Sequence, residues 1–298
     1  MKKKVFLSRI TEYGGDGPHV GVLYGGMSKE KDGSLASSKC TIPDVGVDLA
    51  STLLEVRPSI VFNCLLGTYG EDGYIPGILK SLGIPYTHCG AKSSGICFHK
   101  DLARRLCIES GVLVPKGELI SEGKTQTSIK IPYVIKHTAE GSSTSVEVIF
   151  PEDNRTVEDY EFTCRDLALV EEYIKGKEFQ VAILRGKALG LLEVRFPNSR
   201  LYDYRAKYTP GFSEHIANPK ISQDRLKEIL ATVEKVYKIL SCKSIARAEF
   251  IYVPETEKIY FSEINTHPGF TPTSTYAENA EITFSELLQS ILDGARCD

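Results

Sequence analysis

No two cysteines in this chain are paired in the way that holds a metal or staples a secreted domain. The eight cysteines (40, 64, 89, 97, 107, 164, 242 and 297) are scattered and none forms a CxxC. That argues against a zinc site and a disulfide scaffold, and sets reduced thiols in a cytosolic protein as the expectation. Nor does any apolar run approach the ~20 residues of a membrane-spanning helix. The lysines at 2 to 4 precede only Val5-Phe6-Leu7, too short for the core of a secretion signal. There is no excess of one charge: 36 Lys and Arg against 39 Asp and Glu leave a net −3, which directs no field at nucleic acid or an anionic membrane. Internal repeats and low-complexity segments are missing too. What remains is an ordinary globular composition, 298 residues with 42% hydrophobic and 25% charged, enough for two or three cores.

Along the chain, short apolar runs end in glycine loops. Val20-Gly-Val-Leu-Tyr24 reads as a buried strand running into Gly25-Gly26-Met27-Ser28-Lys29-Glu30, a turn with helix-start residues. Ser59–Leu66 reads as a second strand, ending in Gly67-Thr-Tyr-Gly-Glu-Asp-Gly73, followed by a helix to Leu82 and a third strand at Ile84–Thr87. This is the βα pattern of an open parallel sheet, in which ligands sit at the carboxyl ends of the strands. Taken alone, either glycine loop is equally well explained as turn punctuation. A helix is expected from Ser93 to Gly111, with Gly111 as its cap. Strands follow at Ile131–Lys136 and Val146–Phe150, joined by the small-residue loop Ala139–Ser145. A loop of that kind beside a strand-end lysine can lay N–H groups and hydroxyls over phosphates, though Gly-Ser-Ser is also a common solvent loop. Leu167–Ile174, Gln180–Leu184 and Ala188–Val194 read as further strands, and the tyrosine-rich Leu201–Gly211 as a loop. Apolar residues at 226, 229, 230, 233, 236, 237 and 240 repeat at the helical period, so Gln223–Leu240 is an amphipathic helix. A last helix is expected over Thr283–Leu292.

The most chemically loaded stretch is a hairpin. Glu249–Val253 and Lys258–Ile264 are β-prone and flank the turn Pro254-Glu-Thr-Glu257. Residues two apart share a strand face, so Arg247 projects with Glu249, and Glu263 with Asn265. Burying two carboxylates, an amide and a guanidinium on one face is costly unless they are compensated. A hard divalent cation between the oxygens, with an anion by the arginine, would compensate them; oxygen-only ligands favour magnesium. An exposed hairpin with an ordinary salt bridge accounts for the same residues.

In order, Gly25-Gly26-x-Ser28-x-Glu30, Gly70-Glu-Asp-Gly73, Gly83-Ile-Pro-Tyr-Thr87, Lys136 with Glu140-Gly-Ser-Ser143, Tyr202-Asp-Tyr-x-Ala-Lys-Tyr208 and Glu263-x-Asn-Thr-x-Pro-Gly269 resemble the D-alanine–D-alanine ligases of the ATP-grasp superfamily. The resemblance spans nearly the whole chain. It implies an α/β, three-domain ATP-grasp architecture: an N-terminal parallel-sheet domain (1–90), a central subdomain (91–177) and a C-terminal catalytic subdomain (178–298), with ATP between the last two. It implies ligation of two D-alanines through an acyl phosphate in the cytoplasm, supplying a peptidoglycan precursor. The cofactors implied are ATP as co-substrate and two Mg2+ or Mn2+ per site; a homodimer is left open, with no nucleic-acid or membrane partner.

Residue by residue, the resemblance assigns Glu249, Glu263 and Asn265 to the metals, and Lys100, Lys136 and the Ser142-Ser143 loop to the phosphates. Glu171 and Glu178 face the adenine amino group and the ribose hydroxyls, and Glu172, Ile174 and Lys207 complete the ATP set. Arg247 faces the oxyanion of the tetrahedral intermediate, Glu30 pairs with the first substrate's ammonium, and Ser142 and Tyr208 form the hydroxyl pair beside it. Ser274 holds the second carboxylate. The chain departs from the family pattern where Leu65-Leu66-Gly67 replaces Leu-His-Gly, where Glu249 replaces an aspartate, and in a shortened segment between Glu30 and Leu66. Another ATP-grasp carboxylate–amine or D-Ala–D-lactate ligase, or a nucleotide-binding homologue of reduced activity, is the alternative.

Overall fold

Three sheets organise the chain in the computed structural model, which describes residues 20–23, 49–141, 145–162, 167–197, 199–202, 209, 211–269 and 282–297. The first is a parallel pair, β1 (Val20–Leu23) and β2 (Ile60–Asn63), in the register Val20↔Ile60 to Leu23↔Asn63. Helices α1 (Leu49–Val56) and α2 (Tyr74–Ser81) cover it, burying Leu49, Leu53, Ile75 and Leu79 against Leu23 and Val61. The strand expected at 84–87 shrinks to a single bridge at Tyr86, parallel to Val61 and antiparallel to Arg296. Pro85 has no N–H to give a ladder, so its carbonyl accepts from Val61 N at 2.8 Å while Thr87 N donates back to Val61 O at 3.0 Å.

The single helix expected over 93–111 is two helices, α3 (Ala91–Phe98) and α4 (Lys100–Glu109). They break at His99, which is extended at φ −89°, ψ 95° and whose ring accepts from Leu102 N. The break turns Lys100 N onto Thr138 O at 2.8 Å, delivering the start of α4 to the small-residue loop. Gly111, at φ 71°, sits just past the end of α4, where a left-handed residue is needed to reverse the chain.

The second sheet is antiparallel, in the order β3 (Gly117–Ser121), β6 (Leu167–Glu172), β4 (Tyr133–His137), β5 (Val146–Ile149). The third, also antiparallel, runs β11 (Lys258–Asn265), β10 (Ile245–Val253), β7 (Lys177–Leu184), β8 (Lys187–Arg195), β9 (Glu214–Ala217). Helix α5 (Gln223–Ile239) lays Ile229, Val233, Val236 and Tyr237 on one face of it, the face of Ala246, Ala248 and Phe250. Cys97, Ala103 and Cys107 of α3 and α4 share this core. Ile245, on the alternate face, packs with Leu287 and Ile291 of α6 (Phe284–Asp293) and with Val22 and Phe62 of the first sheet. Beyond Ile245, that same face carries Arg247 and Glu249. Among the described residues no helix is long and apolar enough to cross a membrane.

Candidate functional site

The hairpin forms as the alternation demands, and its register turns four polar residues into two cross-strand pairs, Arg247↔Asn265 and Glu249↔Glu263. A bulge follows, so that Phe250 pairs with Phe261 and Ser262 is the extra residue. The bulge re-aims the strand just past the carboxylates, as bulges beside functional sites do. Arg247 Nη2 donates to Glu249 Oε1 at 2.8 Å. Gln180, opposite Glu249 on β7, donates its Nε2 to the same oxygen at 3.3 Å. Asn265 Oδ1 accepts from His267 N at 2.8 Å.

This face is one wall of a cavity whose other wall is the second sheet. Glu249, Glu263 and Ile251 line it from the hairpin; Lys136, Val134, Glu171 and Glu172 line it from β4 and β6; Ile174 lines it from the connection into β7, and Glu178 from β7 itself. Seven of the residues singled out in the sequence therefore meet in one place. Lys136 is 6% exposed and its Nζ lies 2.5 Å from Glu171 Oε2. Burial alone would push that ammonium down, but the Glu171 carboxylate outweighs it and holds Lys136 above the ordinary lysine value, with Glu263 across the cavity adding to the effect. Glu171 is engaged a second time, by Arg104 Nε of α4 at 3.4 Å. Arg104 is fixed in turn by Pro115 O, which accepts from Nη2 at 3.1 Å and from Nε at 3.3 Å. Glu171, expected to face an adenine, thus has its carboxylate against Lys136 and Arg104, while Glu172 Oε1 accepts from Lys116 N at 2.9 Å.

Lys100 lies off the lining and donates its Nζ to Glu140 O at 2.5 Å, at the start of the small-residue loop. Glu30, Ser142, Ser143, Lys207, Tyr208 and Ser274 lie outside the described residues. The sequence reading missed three contributors, Gln180, Arg104 and Arg200, and gave Tyr202 only as a motif residue without a place in the site. Gln180 carries a signal, as the polar residue inside the apolar run Phe179–Leu184. Arg104 carries none, since it sits on a helix that looks solvent-facing. Arg200 and Tyr202 line the cavity mouth; Arg200 grips Asp153 with Nη1 at 2.7 and 2.8 Å over the ring of Phe150, and Tyr202 Oη meets His215 Nε2 at 3.0 Å.

No group of three or more His, Cys, Asp or Glu is placed to hold a metal among the described residues. The set at hand is smaller: two carboxylates opposed across the ladder, beside one amide oxygen. It is an all-oxygen set that fits a hard cation whose remaining shell comes from phosphate and water. Near it, behind the end of β11, two buried imidazoles stack at 4.6 Å, His88 and His267. Burial pushes His88 down to about 3 and takes His267 well below the ordinary histidine value, so both rings are neutral.

Residues 115–293 match the family model described as D-ala D-ala ligase C-terminus. Proteins named D-alanine–D-alanine ligase from Rickettsia felis and Rickettsia bellii strain OSU 85-389 are 43% and 45% identical, each over 93% of this chain and 92% of the relative. Among solved structures, the D-alanine–D-alanine ligase of Bacillus anthracis superposes with a TM-score of 0.78 at 27% identity, covering 92% of this chain and 96% of that one. A structure of the Bacillus anthracis ligase complexed with ATP gives 0.76 at 25% identity, covering 93% and 97%. The VanG D-Ala:D-Ser ligase of Enterococcus faecalis, 24% identical with a TM-score of 0.73 over 92% of this chain and 98% of that one, shares the fold.

Proposed function

The chain belongs to the D-alanine–D-alanine ligase family, and from that premise we propose that it joins two D-alanines at the expense of ATP, releasing ADP and phosphate. The observation that carries this is the cavity in which Lys136 faces the Glu249–Glu263 hairpin. Phosphoryl transfer asks a protein chiefly for positioning and charge neutralisation, and the two walls divide those tasks. Lys136 neutralises nucleotide phosphates as a point charge, held in place by Glu171. Glu178 reaches the ribose hydroxyls, with Glu172 and Ile174 along the base.

Glu249, Glu263 and Asn265 would hold Mg2+ or Mn2+, two per site, and such cations would supply charge neutralisation for the phosphoryl group. Arg247, bonded to Glu249, faces the oxyanion formed when the second amine attacks the acyl phosphate. Glu30, Ser142, Tyr208 and Ser274 belong to the two D-alanine subsites in the same reading, and Lys100, Ser143 and Lys207 to the ATP contacts. The three-domain division at residues 90 and 177, a cytoplasmic location, supply of a peptidoglycan precursor and an optional homodimer are part of it.

The test is release of ADP and phosphate from Mg-ATP with D-alanine, L-alanine, D-serine or D-lactate as the varied substrate. D-alanine should give the highest kcat/KM. No turnover with D-alanine, alongside a nucleotide-dependent rise in Tm, would leave a nucleotide-binding protein instead.

A further inference from the structure

The buried imidazole behind the metal face does more than fill space. β11 ends at Asn265, and the next two residues, Thr266 and His267, are 3% and 1% exposed. Their polar atoms must find partners inside the protein. His267 finds one 204 residues away: its Nε2 lies 2.9 Å from Asn63 Nδ2 at the end of β2. The orientation of that amide is settled by its other contacts. Asn63 Oδ1 accepts from Leu65 N at 3.0 Å, and Nδ2 also faces Gly70 O at 3.3 Å. A nitrogen therefore points at the ring, and His267 Nε2 must accept. The single ring proton of His267 then sits on Nδ1, directed at Thr266 Oγ1 at 3.2 Å. His88 stacks on the ring at an interplanar angle of 18°, and is oriented by Thr87 Oγ1 at 2.8 Å. Thr87 Oγ1 in turn accepts from Asn63 N at 3.1 Å.

We infer that His267 is a positioning residue for the metal face: Asn63 and His88 clamp its ring, and its backbone N–H holds Asn265 Oδ1 at 2.8 Å, which leaves that oxygen a second lone pair for a cation. The inference rests on Asn265 being a metal ligand, as proposed above. The clamp makes the amide orientation of Asn265 depend on the end of β2 and on the 63–70 loop, which lie in the first sheet. Outer partners of this kind set metal affinity without touching the ion.

The test uses the full chain with ADP, titrated with Mn2+ and read by the electron paramagnetic resonance of the free ion. His267→Leu, which keeps the volume and removes the acceptor, should weaken Mn2+ binding about tenfold. His267→Gln, which restores an acceptor, should recover most of that loss. Asn63→Asp keeps the acceptor for Leu65 N and removes the donor, and so tests the clamp from its other end should His267→Leu fail to fold. It should move the His267 ring proton to Nε2 and weaken Mn2+ in the same direction. In the unmodified protein, 15N chemical shifts should place that proton on Nδ1. A proton on Nε2 there, or an unchanged Mn2+ affinity in folded His267→Leu and Asn63→Asp, would overturn the inference. A merely structural histidine would lower Tm and leave the affinity where it was. Glu263→Gln is the control: if it abolishes Mn2+ binding while the His267 variants do not change it, only the positioning role falls. If Glu263→Gln also leaves binding intact, the metal assignment falls and takes the positioning role with it.

Discussion

The two walls of the cavity use the same residue types and differ in how their charges close. On the second-sheet side the signs alternate inward from the cavity: Lys136, Glu171, Arg104 and Asp101, with Arg105 Nε 2.7 Å from Asp101 Oδ2 at the surface. Each buried charge has an opposite neighbour before any ligand arrives, which is the condition under which buried ions are tolerated. On the hairpin side Arg247 pairs with Glu249, and Glu249 and Glu263 oppose each other across the ladder, with Lys136 facing Glu263 over the cavity. The first wall is closed and belongs to the stability of the fold. The second is the open wall in the proposed function, where cations arriving with the nucleotide would add to the charge balance.

That contrast can be broken from either side. The largest effect is expected for Glu263→Gln: removing a carboxylate from the open wall should lower the rate of D-alanine-dependent ADP release by about 10³-fold, or about 4 kcal/mol of transition-state stabilisation. Tm should hold, because glutamine keeps the shape of the side chain and one acceptor oxygen; a large drop in Tm would show that the Glu263 charge itself is part of the stability of the fold. Lys136→Met makes the reverse bargain. It strands Glu171 with Arg104 alone and should cost about 3 kcal/mol in urea unfolding. Replacing Glu171 by Leu in the same chain should return much of that stability while leaving ATP binding impaired, and no recovery would deny that the pair acts as a unit.

Neutral polar groups give a third case. The unfolded chain protonates His88 near pH 6.5, whereas the folded ring resists until about 3. Between those values the unfolded state holds more protons, so stability falls as pH falls, by about 1.4 kcal/mol per pH unit for one such group. Urea midpoints measured from pH 7 to pH 4.5 should show at least that slope, and His88→Gln should reduce it by one group's share, leaving the part that His267 contributes. The smallest effect is expected for Gln180→Ala, which removes the amide's hydrogen bond to the Glu249 carboxylate, worth about 1.5 kcal/mol, and should raise the apparent Mn2+ dissociation constant about tenfold.

Much of this is legible in the sequence. The seven apolar positions of α5 give its buried face, and Ile229, Val233, Val236 and Tyr237 point inward as their spacing requires. The 249–263 hairpin and its polar face follow from alternation alone. Departures occur where a backbone group outside the segment intervenes. Thr138 O takes Lys100 N and breaks one expected helix into two, and Pro85 leaves a bridge where a strand was expected. Arg104 was hidden because nothing local distinguishes an arginine facing water from one turned onto Pro115 O and Glu171.

The sequence by itself determined which residues share a face, because a strand repeats every two residues and a helix every 3.6, whatever else surrounds them. It also determined the family, through motifs kept in order. Which faces meet was decided only by the tertiary structure. Glu171 is bound to Lys136 and Arg104 because β4, β6 and α4 converge. His267 meets Asn63 because the chain just past β11 is packed against the end of β2. Contacts between residues 30 to 200 positions apart are set by how sheets and helices stack around shared cores, and no local period encodes that.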